Sequence, residues 1–254
     1  MEQKRKSTKQ TLKKLPKRIW GNTALSVALM IIWVGASVIV SQLVVGYSLL
    51  WILGTEKFQQ PVWTAIYSAL SYILTFVLII FVPRRNSDRT SLGLKNSPTW
   101  TDIGLAPVGF IVYLLIAAAL VWVFSIFPWF NPEETQEIGF NLYATGVDRI
   151  IAFITLVVLA PIAEELIFRG WLYGKLREKL SEKVSNNASM LISIFLVSLL
   201  FGIIHLQWNV GVNVFALSIV LCGLREITGT IYAGILLHMI KNGVALYLLY
   251  QIGL

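Results

Sequence analysis

Long apolar runs alternate with short polar segments along this chain, and no segment has the apolar–polar alternation of a half-buried strand. An apolar run of about 17 to 25 residues can cross a bilayer as a helix, because a helix makes all its backbone hydrogen bonds internally. Six runs are long enough: Thr23 to Gly46, Val62 to Val82, Leu105 to Phe127, Ile150 to Phe168, Ala188 to His205 and Ile231 to Tyr250. A seventh, Val212 to Leu224, is short for a span and fits a tilted, buried or re-entrant helix. Tyr47 to Gly54 either extends the first span or lies in the interface, so the pattern predicts seven or eight helices.

The composition is that of a membrane protein rather than of a soluble domain. Of the 254 residues, 56% are hydrophobic and only 13% are charged. We therefore expect an all-α, polytopic membrane helix bundle, with a basic tail over residues 1–20 and a single membrane-embedded domain over residues 21–254. The one cysteine, Cys222, excludes an intramolecular disulfide and is expected to be a small buried apolar residue.

The net charge of +8 indicates orientation in a membrane rather than nucleic-acid binding, because the basic residues are dispersed over alternate connections. Most of the 21 Lys and Arg residues lie in the N-terminal tail and in every second connection after it. The positive-inside rule then places the N-terminus in the cytoplasm, with the tail on anionic lipid headgroups. We expect an integral protein of the bacterial plasma membrane.

Few charged or strongly polar residues interrupt the apolar runs, and those that do include both histidines of the chain. Charges inside a span are costly, so they are mostly paired or functional. The residues in question are Glu164, Glu165 and Arg169 in the fourth run, His205 at the end of the fifth, and His238, Lys241 and Asn242 in the last. They are the candidates for chemistry in this chain.

Helical spacing sorts these residues. Glu165 and Arg169 are four apart and can form an ion pair, whereas Glu164 points about 100° away around the helix. His238 and Asn242 share one helix face by the same spacing. One carboxylate is therefore neutralised, and the other is available.

Counting along the helices from their connecting turns places Glu164, His205 and His238 at similar depths, at about 1.5 Å per residue. Three helices are therefore expected to converge on one polar site, which lies within residues 147–248. The count assumes continuous helices, and Pro161 puts that assumption in question for the fourth.

Two chemistries fit such a site. Glu164 beside His205 can activate water as a general base, while His238 and Asn242 donate hydrogen bonds to an oxyanion. Alternatively, Glu164, His205 and His238 can bind Zn²⁺ as a two-histidine, one-carboxylate set with an open position for water. A purely structural network of hydrogen bonds between helices is the third interpretation.

The motifs resemble the signature of the CAAX protease and bacteriocin-processing (Abi, or CPBP) family of intramembrane proteases. The matching stretches are "EELIFR" (164–169) for Glu-Glu-x-x-x-Arg, "FGIIH" (201–205) for Phe-x-x-x-His and "HMIKN" (238–242) for His-x-x-x-Asn. The resemblance covers Val147 to Leu248, and the site is similar to that of the type II CAAX prenyl endopeptidases.

The resemblance implies an intramembrane endopeptidase whose partner is a peptide or membrane-protein substrate within membrane lipids. The roles it implies are water activation by Glu164 with His205, oxyanion stabilisation by His238 with Asn242, and structural support by Glu165 and Arg169. Members of the family have been described both as metal-dependent and as glutamic, so a zinc ion on Glu164, His205 and His238 stays open. Because Asn209 follows His205 by four residues, the two His/Asn pairs can also exchange roles.

Two other functions are weighed against this one. A non-catalytic membrane protein, such as an immunity factor or an adaptor that binds peptides or a sensor protein, would not use these residues for chemistry. A transporter or channel is disfavoured, because the chain shows neither inverted repeats nor paired broken helices.

Overall fold

The computed structural model of the protein describes residues 23–81, 91–95, 97–132, 140 and 146–252. Within these residues the chain forms seven helices and no strand, and each helix is long and apolar enough to cross a membrane. They are α1 (Thr23–Phe58), α2 (Pro61–Phe81), α3 (Trp100–Phe124), α4 (Val147–Ser181), α5 (Asn186–Ile203), α6 (Trp208–Thr228) and α7 (Tyr232–Ile252). The expected all-α membrane helix bundle is confirmed, while the predicted tail, residues 1–20, lies outside the described residues.

Helix α1 is longer than the first predicted span. It continues past Gly46 to Phe58 and includes Tyr47 to Gly54. Gly54 interrupts the regular helix with φ 73° and ψ 169°, a conformation that glycine adopts because it has no Cβ. A two-residue connection then leads to α2, so Tyr47 to Gly54 adds no eighth helix.

Helix α6 corrects the prediction for the short seventh run. The sequence predicts a helix over Val212 to Leu224, whereas α6 has 21 residues. Its polar C-terminal turn is held by protein groups, since Glu226 accepts hydrogen bonds from Tyr173 and Arg177. The length of an apolar run therefore underestimates the length of such a helix. Polar residues are tolerated in a span where groups of other helices form hydrogen bonds with them.

The same helix is the centre of the bundle. One core cluster packs residues of α1, α2, α4 and α5 against Val210, Val214 and Cys222 of α6. A second cluster packs α3 and α7 against Leu217 and Leu221 on its other side. Cys222 is fully buried, as predicted. Because α6 packs directly against α3, α4, α5 and α7 and shares the first cluster with α1 and α2, it fixes the relative placement of the helices around it.

Helix α4 runs continuously through Pro161, although proline disrupts regular helical hydrogen bonding. Two segments widen to π-helix: Ile154–Leu159 before the proline and Leu166–Tyr173 after the two glutamates. In the first, the Ala160 N–H bonds to the carbonyl five residues back. The Leu156 carbonyl is left without a backbone donor, because the Ala160 N–H is already bonded to the Thr155 carbonyl and Pro161 has no N–H. The helix therefore widens at the proline instead of breaking.

Helices α5 and α6 form a tight hairpin whose connection carries His205. The backbones of the two helices lie close together where the helices cross, since a Cβ added to Gly202 would lie 2.9 Å from the carbonyl oxygen of Gly211. Leu206 then turns the chain with φ 60°. Small residues allow helices to approach this closely in membranes, and here the crossing sets the position of His205.

Gly202→Ala is expected to lower the thermal stability of the protein in lipid nanodiscs. A clash with backbone cannot be relieved by rotating a side chain, and overpacking costs about 1–3 kcal/mol. Intrinsic fluorescence followed against temperature measures the change. Gly223→Ala in α6 is the control, because nothing lies within 4 Å of a Cβ there; equal melting temperatures for the two variants would contradict the tight crossing.

Candidate active site

The predicted polar residues meet at the middle of α4. Glu164 and Glu165 lie between its two π-helical segments, and π-helical segments are frequent at functional sites. His238 approaches from α7, where it contacts the Glu165 carboxylate and faces Glu164. His205 lines the same cavity as Glu164. The structure thus brings together the residues that counting placed at one depth.

Glu165 is the buried anchor of the site. Its Oε1 accepts a hydrogen bond from Arg169 Nη1 at 2.9 Å and another from His238 Nδ1 at 3.2 Å. The first contact is the ion pair expected from the helical spacing, and the second, which joins α4 to α7, was not predicted. Gly234 leaves room for this carboxylate, since a Cβ there would lie 3.1 Å from Glu165 Oε2.

The contact with Glu165 determines where the hydrogen lies on His238. A carboxylate accepts hydrogen bonds, so Nδ1 of His238 is the donor and carries a hydrogen. The other nitrogen, Nε2, faces Glu164 at 3.8 Å from Oε2. Hydrolases use a buried carboxylate in this way to fix the tautomer and orientation of a histidine. The imidazole of His238 therefore has a fixed tautomer and orientation between two carboxylates.

Arg169 and Phe201 pack together on the inner side of the site, and both are fully buried. The Arg169 guanidinium lies 4.5 Å from the centroid of the Phe201 ring, as a cation–π contact. The same ring makes edge contacts with His205 and His238, at 5.0 and 6.1 Å between centroids. The phenylalanine of the second motif thus helps to position both imidazoles.

Glu164 is the carboxylate with an accessible face. Its side chain is 17% exposed, against 0% for Glu165, and it lines a cavity of about 180 Å³ together with His205. Its Oε1 accepts a hydrogen bond from the Tyr72 hydroxyl of α2 at 2.8 Å. Lys241 of α7 lies within electrostatic range of it. Of the two adjacent glutamates, only Glu164 is placed to meet a molecule in the cavity.

His205 is oriented by its own turn. Its Nδ1 lies 2.7 Å from the Phe201 carbonyl oxygen. Because a carbonyl only accepts, Nδ1 is the donor, and in a neutral imidazole Nε2 is the nitrogen that can take a proton. The backbone therefore leaves the second nitrogen of His205 for other partners.

Asn242 makes a contact that the motif does not reveal. Its Nδ2 donates to the Leu156 carbonyl at 2.9 Å, which is the carbonyl that the π-helix before Pro161 leaves without a backbone donor. One amide N–H thus ties α7 to α4, and a side-chain amide has a second. Asn209, the alternative amide, acts at the start of α6, where its Oδ1 accepts from the Val210 N–H.

The zinc alternative finds no preformed site. Among the residues that the structure describes, no three His, Cys, Asp or Glu side chains are grouped to hold a metal ion. The set Glu164, His205 and His238 shares a site without forming such a group.

A comparison with known protein families gives a match for the segment of the chain that contains the site. The family model described as type II CAAX prenyl endopeptidase Rce1-like matches residues 146–244, about two fifths of the chain, and this segment contains all three motifs. Neither the curated proteins nor the solved structures gave a match to the chain. Residues 146–244 are therefore similar to the Rce1-like type II CAAX prenyl endopeptidases, which confirms the family resemblance of the three motifs.

Proposed function

We propose that this protein is an intramembrane endopeptidase that hydrolyses a peptide bond in a membrane-associated or lipidated peptide or protein. The observation that supports it most directly is Glu164, whose accessible carboxylate shares a cavity with His205 and faces His238. Its neighbour Glu165 is bonded to Arg169 and His238 instead. A carboxylate with an accessible face in a polar cavity is placed to act as a general base on water. The Rce1-like match supports the same reaction class.

In this proposal Glu164 is the general base, assisted by His205. The carboxylate takes a proton from a water molecule while the water oxygen bonds to the carbonyl carbon of the substrate. When the carbon–nitrogen bond breaks, Glu164 returns the proton to the amine nitrogen. The products are a new carboxyl terminus and a new amino terminus, so atoms and charge balance without another reactant.

His238 and Asn242 are the proposed oxyanion donors. Glu165 holds the Nδ1–H of His238, so a proton on Nε2 creates an imidazolium between two carboxylates, with Nε2–H on the side of Glu164. Asn242 contributes the amide N–H that is not bonded to Leu156. Loss of one such donor costs about 100- to 1,000-fold in rate in other hydrolases.

Glu164→Gln is expected to lower the rate of cleavage by at least about 100-fold, because the amide cannot take a proton from water. The assay is mass spectrometry of a mixed peptide library that includes prenylated peptides, with purified protein in lipid. Glu178→Gln is the matched control on the same helix, since Glu178 is exposed and pairs with Lys175. Equal products from wild type and Glu164→Gln would contradict the assignment. Retention of a cellular phenotype by this variant would favour the adaptor or immunity function.

Glu165→Gln is expected to lower both stability and activity, because it leaves Arg169 buried without its partner, at a cost of about 3–5 kcal/mol. Glu165→Gln/Arg169→Met removes both charges and is expected to regain stability but not activity, since His238 still lacks the carboxylate that orients it. Thermal unfolding and peptide cleavage measure the two effects. Recovery of both properties in the double variant would show that Glu165 serves only the ion pair.

The proposal also includes the location expected from the charges: a bacterial plasma membrane, a cytoplasmic N-terminus, contact with membrane lipids and no nucleic-acid partner. In a Cys222→Ser background, a cysteine replacing Gln59 between α1 and α2 is expected to react with an impermeant maleimide in intact cells. A cysteine replacing Glu182 between α4 and α5 is expected to react only after permeabilisation. Both positions are exposed, and the reverse labelling pattern would contradict the orientation.

A further inference from the structure

Tyr72 makes a contact with the site from outside the segment that matches the family. It lies on α2, and its hydroxyl donates to Glu164 Oε1 at 2.8 Å. The matched segment begins only at residue 146, and none of the three motifs contains a tyrosine. The residue is therefore assigned no role by the motifs or by the family match.

The hydroxyl of Tyr72 makes a different kind of hydrogen bond from two other hydroxyls on the same helix. Ser68 and Thr75, which also line the cavity, donate to carbonyls four residues back, Thr64 and Ser71. Such hydroxyls are satisfied within their own helix. A phenol is too long for this local bond, so the hydroxyl of Tyr72 reaches across to α4.

The ring of Tyr72 is held in place. It packs against the core cluster that includes Ile167 and Phe168 of α4, the turn that follows Glu164. The ring position is therefore set by packing with the helix that carries the carboxylate, and the hydrogen bond follows from it. Removing only the hydroxyl leaves this packing intact.

The hydrogen bond sets the direction of the Glu164 carboxylate. Its Oε1 is held by the Tyr72 hydroxyl at 2.8 Å. The other oxygen, Oε2, is the one that faces His238, at 3.8 Å from Nε2. Tyr72 thus determines which carboxylate oxygen is turned toward His238.

We propose that Tyr72 is a positioning residue that acts through Glu164, holding Oε1 so that Oε2 is directed toward the reacting water. This inference rests on the proposed function. The charged and titratable groups around Glu164 are Tyr72 from α2, His205 from the α5–α6 connection, His238 and Lys241 from α7, and Glu165 on its own helix. Tyr72→Phe removes the hydrogen bond to Oε1 without changing any formal charge.

Tyr72→Phe is the test in cleavage. It is expected to lower kcat by about tenfold or more, the usual worth of a hydrogen bond to a charged group, with a much smaller change in KM. Tyr113→Phe, which removes the hydroxyl of a buried tyrosine on α3, is the control and should leave both constants unchanged. A kcat of Tyr72→Phe equal to that of wild type would overturn the assignment.

A second measurement does not depend on turnover. Thermal unfolding in lipid nanodiscs is compared for wild type, Tyr72→Phe, Glu164→Ala and the double variant. Because the Tyr72 hydroxyl bonds to Glu164, its removal should lower the melting temperature less in the Glu164→Ala background than in wild type. Equal shifts in the two backgrounds would overturn the link between Tyr72 and Glu164. A smaller shift in the Glu164→Ala background without cleavage by any variant would uphold the link, and the endopeptidase proposal would then be the one that fails.

Discussion

A single buried carboxylate oxygen, Oε1 of Glu165, connects the stability of this bundle to the geometry of its site. It accepts from Arg169 within α4 and from His238 of α7. A fully buried charge is tolerated only when it is paired and hydrogen-bonded. Helix α7 must therefore pack where His238 can donate its hydrogen bond to Glu165. The same contact turns the other nitrogen of the imidazole toward Glu164. Helix packing and the orientation of the His238 imidazole thus depend on one interaction.

The backbone of α4 departs from regular α-helix next to the site, and this departure creates a second contact with α7. The π-helical winding before Pro161 leaves the Leu156 carbonyl without a backbone donor, and Asn242 supplies one from α7. In a regular α-helix the Ala160 N–H would bond to the Leu156 carbonyl, but here it bonds to Thr155. Without Asn242 the Leu156 carbonyl would be unsatisfied in a membrane, at a cost of several kcal/mol. Glycines at Gly234 and Gly202 give the neighbouring helices the close approach that these contacts need. The site is therefore assembled by backbone adjustments as much as by its polar side chains.

The sequence predicted the helices well, because they depend on local patterns, and it also predicted that the polar residues of α4, α5 and α7 lie near one another. Apolar runs identify spans, and four-residue spacing identifies the pair of Glu165 and Arg169. Helix α6 was underestimated, since its polar ends are satisfied by tertiary partners such as Arg177. Tyr72 was missed because it is one of nine tyrosines, and nothing local distinguishes it. The bond from His238 to Glu165 is likewise a contact between distant helices, which spacing within one helix cannot reveal.

The central claim is that Glu164 activates a water molecule that attacks the peptide carbonyl directly. The most direct measurement is a single turnover in H₂¹⁸O with enzyme in excess over a cleavable peptide, followed by mass spectrometry of the new carboxyl terminus. Direct attack by water predicts one ¹⁸O atom in the product of that first turnover. A first-turnover product without ¹⁸O would contradict the account, because its oxygen would then have come from a side chain of the enzyme.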